Sequence, residues 1–179
     1  MDDLTLGQRW AFRALFFLLI ACIAFAQLLP LDPGPGGLPG PDVMLLLTLA
    51  WLLRRPEAVP VTMIALLFLM ADFLFMRPPG LWAVIVVIMT EMIRSRASGF
   101  RDMSFVVEWL MIAAFITVGT LAHVILQAVF FVDQPALGQT LIRLLATVLC
   151  YPLVVAFGAR SFGLRKPVSG EFNPLGVRS

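Results

Sequence analysis

The chain has 179 residues, 60% of them hydrophobic and 13% charged, whereas a soluble domain averages roughly 45–50% apolar and about 25% charged residues. The net charge is +2, and the thirteen basic residues cluster at the ends of apolar segments, which excludes a nucleic-acid binder built on a basic patch or stripe. One crossing of a ~30 Å hydrocarbon core takes about 20 helical residues, so six crossings use most of the chain and leave no room for a second, soluble domain.

In chain order, a short polar stretch, Met1–Trp10, precedes the first apolar run, Ala14–Leu29. Pro30–Pro41 holds five prolines and four glycines in twelve residues, a composition that forms a loop and no helix. Val43–Leu53 is apolar but only eleven residues long, closed by Arg54-Arg55-Pro56, and is expected as a short or thinned crossing. Glu57–Met76 is the third segment, interrupted by Asp72, and the turn Arg77-Pro78-Pro79-Gly80 leads into the fourth, Leu81–Ile93. After the arginine-rich stretch Arg94–Met103 comes the longest run, Ser104–Val132, and Asp133-Gln134-Pro135 turns the chain into the sixth segment, Ala136–Gly158. The expected organisation is therefore one all-α, six-helix transmembrane domain over residues 1–158 and a basic, disordered tail over 159–179.

Arginine placement predicts the orientation. With the N-terminus cytoplasmic and each segment crossing once, eleven of the thirteen basic residues face the cytoplasm, Arg77 alone lies outside and Arg143 lies within the membrane. This is the positive-inside pattern. A competing reading takes Arg9, Arg13, the first apolar run and Ala24-Phe25-Ala26 as a cleavable signal peptide, which leaves the remaining orientations unchanged. Cys22 and Cys150 each sit inside an apolar run and are expected to pack as small hydrophobes, with no metal or redox spacing.

Ionisable groups at membrane depth are functional candidates because each is costly there unless partnered. Asp72, His123, Gln127 and Arg143 are predicted to share a polar layer in the outer half of the bundle, with Asp72 and Arg143 as an ion pair. His123 and Gln127 lie on one helix face by their i, i+4 spacing. The layer serves helix packing, a ligand or partner site, or an ion path. Glu91 and Glu108 are expected to pair with Arg94 and Arg101 near the cytoplasmic surface, and Trp10, Trp51, Trp82 and Trp109, each near a segment end, to anchor at the interface. One histidine, short loops and no phosphate loop, H-E-x-x-H or G-x-S-x-G motif point away from an enzyme and from any cofactor or metal.

Residues 40–93 resemble the MreD family, small bacterial inner-membrane proteins of the rod-shape system. The likeness runs through Pro41-Asp42, Arg54-Arg55-Pro56, Ala71-Asp72-Phe73-Leu74 and Pro79-Gly80-Leu81-Trp82, then through Tyr151-Pro152 and the basic tail. Phe68 stands where the family often has glycine, and Met76-Arg77-Pro78 replaces a small pair such as Ser-Gly. The resemblance implies a six-helix bundle similar to the substrate-binding subunits of energy-coupling-factor transporters, in the bacterial inner membrane with both termini cytoplasmic. It also implies a non-enzymatic scaffold of the cell-elongation machinery. Such a scaffold binds MreC, acts with MreB, RodA and RodA's transpeptidase partner, and supports side-wall peptidoglycan synthesis and rod shape. The alternative is a small-molecule-binding subunit of such a transporter, with an outer pocket around Asp72, His123 and Arg143; the A-x-x-x-A docking pattern of those subunits is missing from the first segment. A third reading is a lipid-acting enzyme dependent on Glu91, Glu108 or Asp72.

Overall fold

A computed structural model describes residues 6–29, 39–96, 99, 103–131 and 136–162. Its helices are α1 (Leu6–Leu28), α2 (Val43–Arg54), α3 (Val61–Leu74), α4 (Leu81–Ser95), α5 (Phe105–Val129) and α6 (Leu137–Phe162), with one 3₁₀ turn at Pro56–Ala58. No strand occurs among the described residues. Three helices, α1, α5 and α6, are long and apolar enough to cross a membrane. The other three are shorter: α2 has 12 residues, α3 has 14 and α4 has 15.

The shortest of the six, α2, is the most deeply buried. Every residue from Met44 to Arg54 is buried, because VMLLLTLAWLL is apolar on all sides and such a helix is stable only when surrounded. It packs against α1, α4 and α6. Asp42 starts the helix by accepting a hydrogen bond from the Leu45 N–H through its side chain. At the other end Arg54 Nη1 donates back to the Ala50 carbonyl. An acid at the N-terminus and a cation at the C-terminus both suit the helix dipole. At ~1.5 Å per residue, twelve residues make a rod only about 18 Å long.

The third segment is shorter than its apolar run. Pro56 opens a 3₁₀ turn and Pro60, extended at φ −66° and ψ 149°, is the N-cap of α3. Without an N–H, neither proline continues a helix from the preceding residues, so Glu57–Pro60 form a turn and not the start of the helix. Three arginines tie that turn down: Arg94 donates to the Pro56 and Val59 carbonyls, Arg13 to the Glu57 carbonyl, and Arg9 pairs with the Glu57 carboxylate. Arg94 also holds Glu91 at 2.8 Å, the pairing expected of those two residues.

α3 and α4 form a tight hairpin closed at Gly80. Gly80 has φ +85°, in the left-handed region that costs a non-glycine residue ~1–2 kcal/mol. α5 comes close to α4 at Gly119, where a Cβ would meet Met89 Sδ at 3.4 Å and Ile85 Cγ2 at 3.5 Å.

The ends of the long helices also differ from expectation. α1 begins at Leu6, well before Ala14, and α6 runs past Gly158 to Phe162, into the stretch expected as tail. The loop expected at Pro30–Pro41 falls outside the described residues from 30 to 38, as does the tail from 163 onward. Of the four tryptophans, only Trp10 is well exposed. Trp51 is fully buried against Phe12 and Phe16, and Trp82 is buried beside α5. Both rings pack inside the bundle, so these two tryptophans are core residues and not interfacial anchors.

Candidate functional site

Each end of α2 carries a polar cluster, and the two do different work. At the C-terminal end, Arg54 Nη2 lies 3.0 Å from Glu108 Oε1 on α5, and the Tyr151 hydroxyl on α6 donates to the same oxygen at 2.7 Å. Glu108 is wholly inaccessible and Arg54 nearly so. The expectation that Glu108 lies at the surface is therefore corrected, and its expected partner Arg101 falls outside the described residues. Val106 and Val107 beside Glu108 are exposed, and the helical turn carries the carboxylate inward. Arg54 reaches it because α2 is too short to carry a guanidinium out to water.

Pro152 completes this cluster indirectly. A proline has no N–H, so the carbonyl four residues earlier lacks its helical partner. That carbonyl is Val148 O, and the Trp109 indole N–H donates to it at 2.9 Å. Tyr151 and Pro152 thus fasten α6 to two successive residues of α5, Glu108 and Trp109. The Phe105 ring stacks parallel to Tyr151 with centroids 6.5 Å apart.

At the N-terminal end of α2 a cleft of about 630 Å³ opens between α2, α4, α5 and α6. His123, Gln127 and Arg143 all line it, so the structure brings together three of the four residues expected in one polar layer. Asp72 is not among them. It is fully buried on α3, and its Oδ2 accepts hydrogen bonds from the Gly80 and Ala83 backbone N–H groups, at 3.1 and 3.2 Å. The expected Asp72–Arg143 pair is not formed. Asp72 lies on the neighbouring hairpin, where N–H groups at the start of α4 donate to its carboxylate in place of the more distant Arg143 guanidinium. The Asp72 and Gly80 of the family-like pattern are thus two halves of one hydrogen-bonded turn.

The acid that meets Arg143 is Asp42. Its Oδ2 lies 3.3 Å from Arg143 Nη2 while its Oδ1 caps α2, and its backbone N–H donates to Thr147 Oγ1 at 3.0 Å. Thr147 in turn donates to the Arg143 carbonyl. A second cation, Arg77, lines the same cleft from the α3–α4 turn. Burial, and then the charge of Arg143, pull the Arg77 pKa below its ordinary value. Among the described residues Arg77 makes no ion pair; its guanidinium lies over the Phe75 ring at 5.0 Å. Trp82 and His123 meet edge to face at 5.0 Å in the cleft wall. Among the described residues neither Trp82 Nε1 nor His123 Nε2, both buried, has a hydrogen-bond partner.

Pro41 and Arg55 complete the turns of the family-like pattern: Pro41 O accepts from the Val43 N–H, and the Arg55 guanidinium lies 5.0 Å from the Phe12 ring centre. No group of three or more metal-ligating side chains occurs among the described residues. Chemically, the Arg54 cluster is a closed lock, whereas the cleft presents cationic and N–H-bearing groups beside an apolar wall. No family model, curated protein or solved structure matches the chain.

Proposed function

We propose that the protein is a non-enzymatic membrane scaffold of the bacterial cell-elongation machinery, of MreD type, which holds an MreC-like single-span partner against its bundle. RodA, its transpeptidase partner and MreB are the further components of that assembly. In this reading all six helices cross the inner membrane, the short α2, α3 and α4 within a collar of longer ones, and both termini are cytoplasmic. The gathering of Arg9, Arg13, Arg54 and Arg94 at one end of the bundle supports that orientation.

The observation that carries the reading is the outer face of α6. Leu137, Leu141, Leu145, Leu149, Leu153 and Phe157 recur at every fourth residue and all are well exposed. They form one i, i+4 ridge about 30 Å long at ~1.5 Å per residue, which winds by roughly 200° around the helix at ~3.6 residues per turn and matches the height of the hydrocarbon core. An i, i+4 ridge is the element that packs into the groove of a second helix. Behind the ridge, Tyr151 and Trp109 hold α6 rigid, which favours docking because little order remains to be imposed on binding.

The test is site-specific photo-crosslinking from positions 145 and 149 in native membranes, together with depletion. Crosslinks to a single-span MreC-like protein and rounding of the depleted cells are expected. Cells that stay rod-shaped after complete depletion, with no crosslink from either position, would remove the scaffold reading.

One observation favours a second reading, a small-molecule-binding subunit of an energy-coupling-factor-type transporter. The cleft has the volume of a ligand site, for which roughly 300–1,000 Å³ is usual. That reading requires a water-soluble ligand that raises the melting temperature of the purified protein.

A further inference from the structure

The cleft's charges are unequally matched. Asp42 places one carboxylate oxygen on the Leu45 N–H and one on Arg143, and it acts on Arg77 only at longer range, as does Asp72. Two guanidinium groups therefore converge on the cleft while, among the described residues, one acid, Asp42, lines it. Like charges brought together away from bulk water repel strongly, and cations at membrane depth are retained where something answers them. The surrounding wall adds a further donor: the Trp82 indole N–H is buried and unpartnered among the described residues, and Trp82 itself is more than nine-tenths buried. Leu45, Ile116 and Leu144 line the rest of the same space. The cleft is thus cationic and donor-bearing near the end of the bundle and apolar along its length.

We propose that this cleft binds a phosphate-type oxyanion carried on an apolar body, held between Arg77 and Arg143 with the apolar part along Leu45, Trp82, Ile116 and Leu144. Arginine suits a tetrahedral oxyanion because its planar fork donates two parallel hydrogen bonds. Placement agrees with a lipid: Arg77 lies in a turn between helices, at headgroup level, and Arg143 lies about 9 Å deeper than the start of α6 at ~1.5 Å per residue. The site is compatible with either function proposed above and rests on neither. An anionic lipid headgroup and free phosphate share this chemistry, and the experiment separates them.

The full-length protein is purified in neutral detergent, offered equimolar phosphatidylglycerol and phosphatidylcholine, and the bound lipid is counted by native mass spectrometry. Phosphatidylglycerol is expected to be retained at least fivefold over phosphatidylcholine, and Arg77→Gln to bring that ratio near one while Arg77→Lys keeps part of it. A parallel arm adds inorganic phosphate. If phosphate displaces the lipid and itself raises thermal stability in an Arg77-dependent way, the ligand is a small oxyanion. If it does neither, the ligand is the lipid headgroup; both results uphold the site. Gln139→Glu, an exposed change at the rim, places a negative charge there without touching either arginine, and is expected to lower the ratio even if Arg77→Gln fails to fold. Equal retention of the two lipids, or a preference indifferent to both Arg77→Gln and Gln139→Glu, overturns the proposal.

Discussion

Asp42 and Asp72 are chemically identical and occupy the same end of the bundle, yet each answers a different need. Asp72 serves backbone: it accepts from Gly80 and Ala83, and its substitution by alanine leaves two buried N–H groups without a partner. Each such orphan costs about 1–3 kcal/mol. Asp72→Ala is therefore expected to lower the unfolding midpoint equally in the native and Arg143→Gln backgrounds, since non-touching sites add within about 0.5 kcal/mol. Asp42 serves both a helix cap, worth ~1 kcal/mol, and a half-exposed ion pair. The Asp42→Ala and Arg143→Gln changes are expected to couple by several tenths of a kcal/mol, the scale of a partly solvated pair. Denaturant unfolding of the three single and two double variants in micelles reads both cycles; coupling of Arg143 to Asp72 and not to Asp42 would reverse the assignment. The sequence marks Asp72 as a candidate, because an acid in an apolar run is visible one residue at a time, and names Asp42 only through the family-like turn pattern. It does not reveal their partners, which depend on how far the α3–α4 turn swings toward α6. The signal that was available is local: Asp42 stands three residues before Leu45 at the start of an apolar run, the position of an N-cap.

At the scale of elements, the register of α5 against α6 is set where two unusual residues stand side by side. Tyr151 reaches Glu108 and Pro152 exposes the Val148 carbonyl to Trp109. Trp109→Phe removes the donor to that carbonyl and is expected to cost ~1 kcal/mol in the native background. In Pro152→Ala the restored N–H serves Val148, so the same Trp109→Phe change is expected to cost markedly less. Equal costs in the two backgrounds would show that the proline does not create the site. The neighbouring ion pair follows the logic of buried charge. Glu108→Leu strands Arg54 and is expected to lose about 3–5 kcal/mol, whereas Arg54→Met with Glu108→Leu recovers most of it. Both comparisons are read as unfolding midpoints in detergent. The helices themselves were largely legible, because an apolar run bounded by Pro, Gly or Arg is a one-dimensional signal; Val43–Leu53 and Leu81–Ile93 lie within one or two residues of α2 and α4. The third run misled because Glu57–Pro60 is polar only at Glu57. There the prolines decide, and hydropathy does not.

For the molecule as a whole, the short α2 explains why its two ends are so differently furnished. A rod of about 18 Å at ~1.5 Å per residue cannot bring both Asp42 and Arg54 to the surfaces of a ~30 Å hydrocarbon layer. Each charged end is consequently met by the inner faces of α5 and α6: one end sealed by Glu108 and Tyr151, the other left as a cleft. In the proposed orientation the Arg54 end lies toward the cytoplasm and the cleft end toward the opposite face of the membrane. Glu57 and Met76 mark the two ends, both with exposed side chains. In a background carrying Cys22→Ser and Cys150→Ser, Glu57→Cys is expected to react with a membrane-impermeant maleimide only after the cytoplasmic face is opened. Met76→Cys is expected to react in intact spheroplasts. Labelling of both from one side would mean that α3 does not cross, and α2 would then have to enter and leave by the same face. Labelling from opposite sides but in the reverse sense would keep the bundle and invert its orientation, placing the cationic cleft on the cytoplasmic side, where anionic lipids give a negative surface potential.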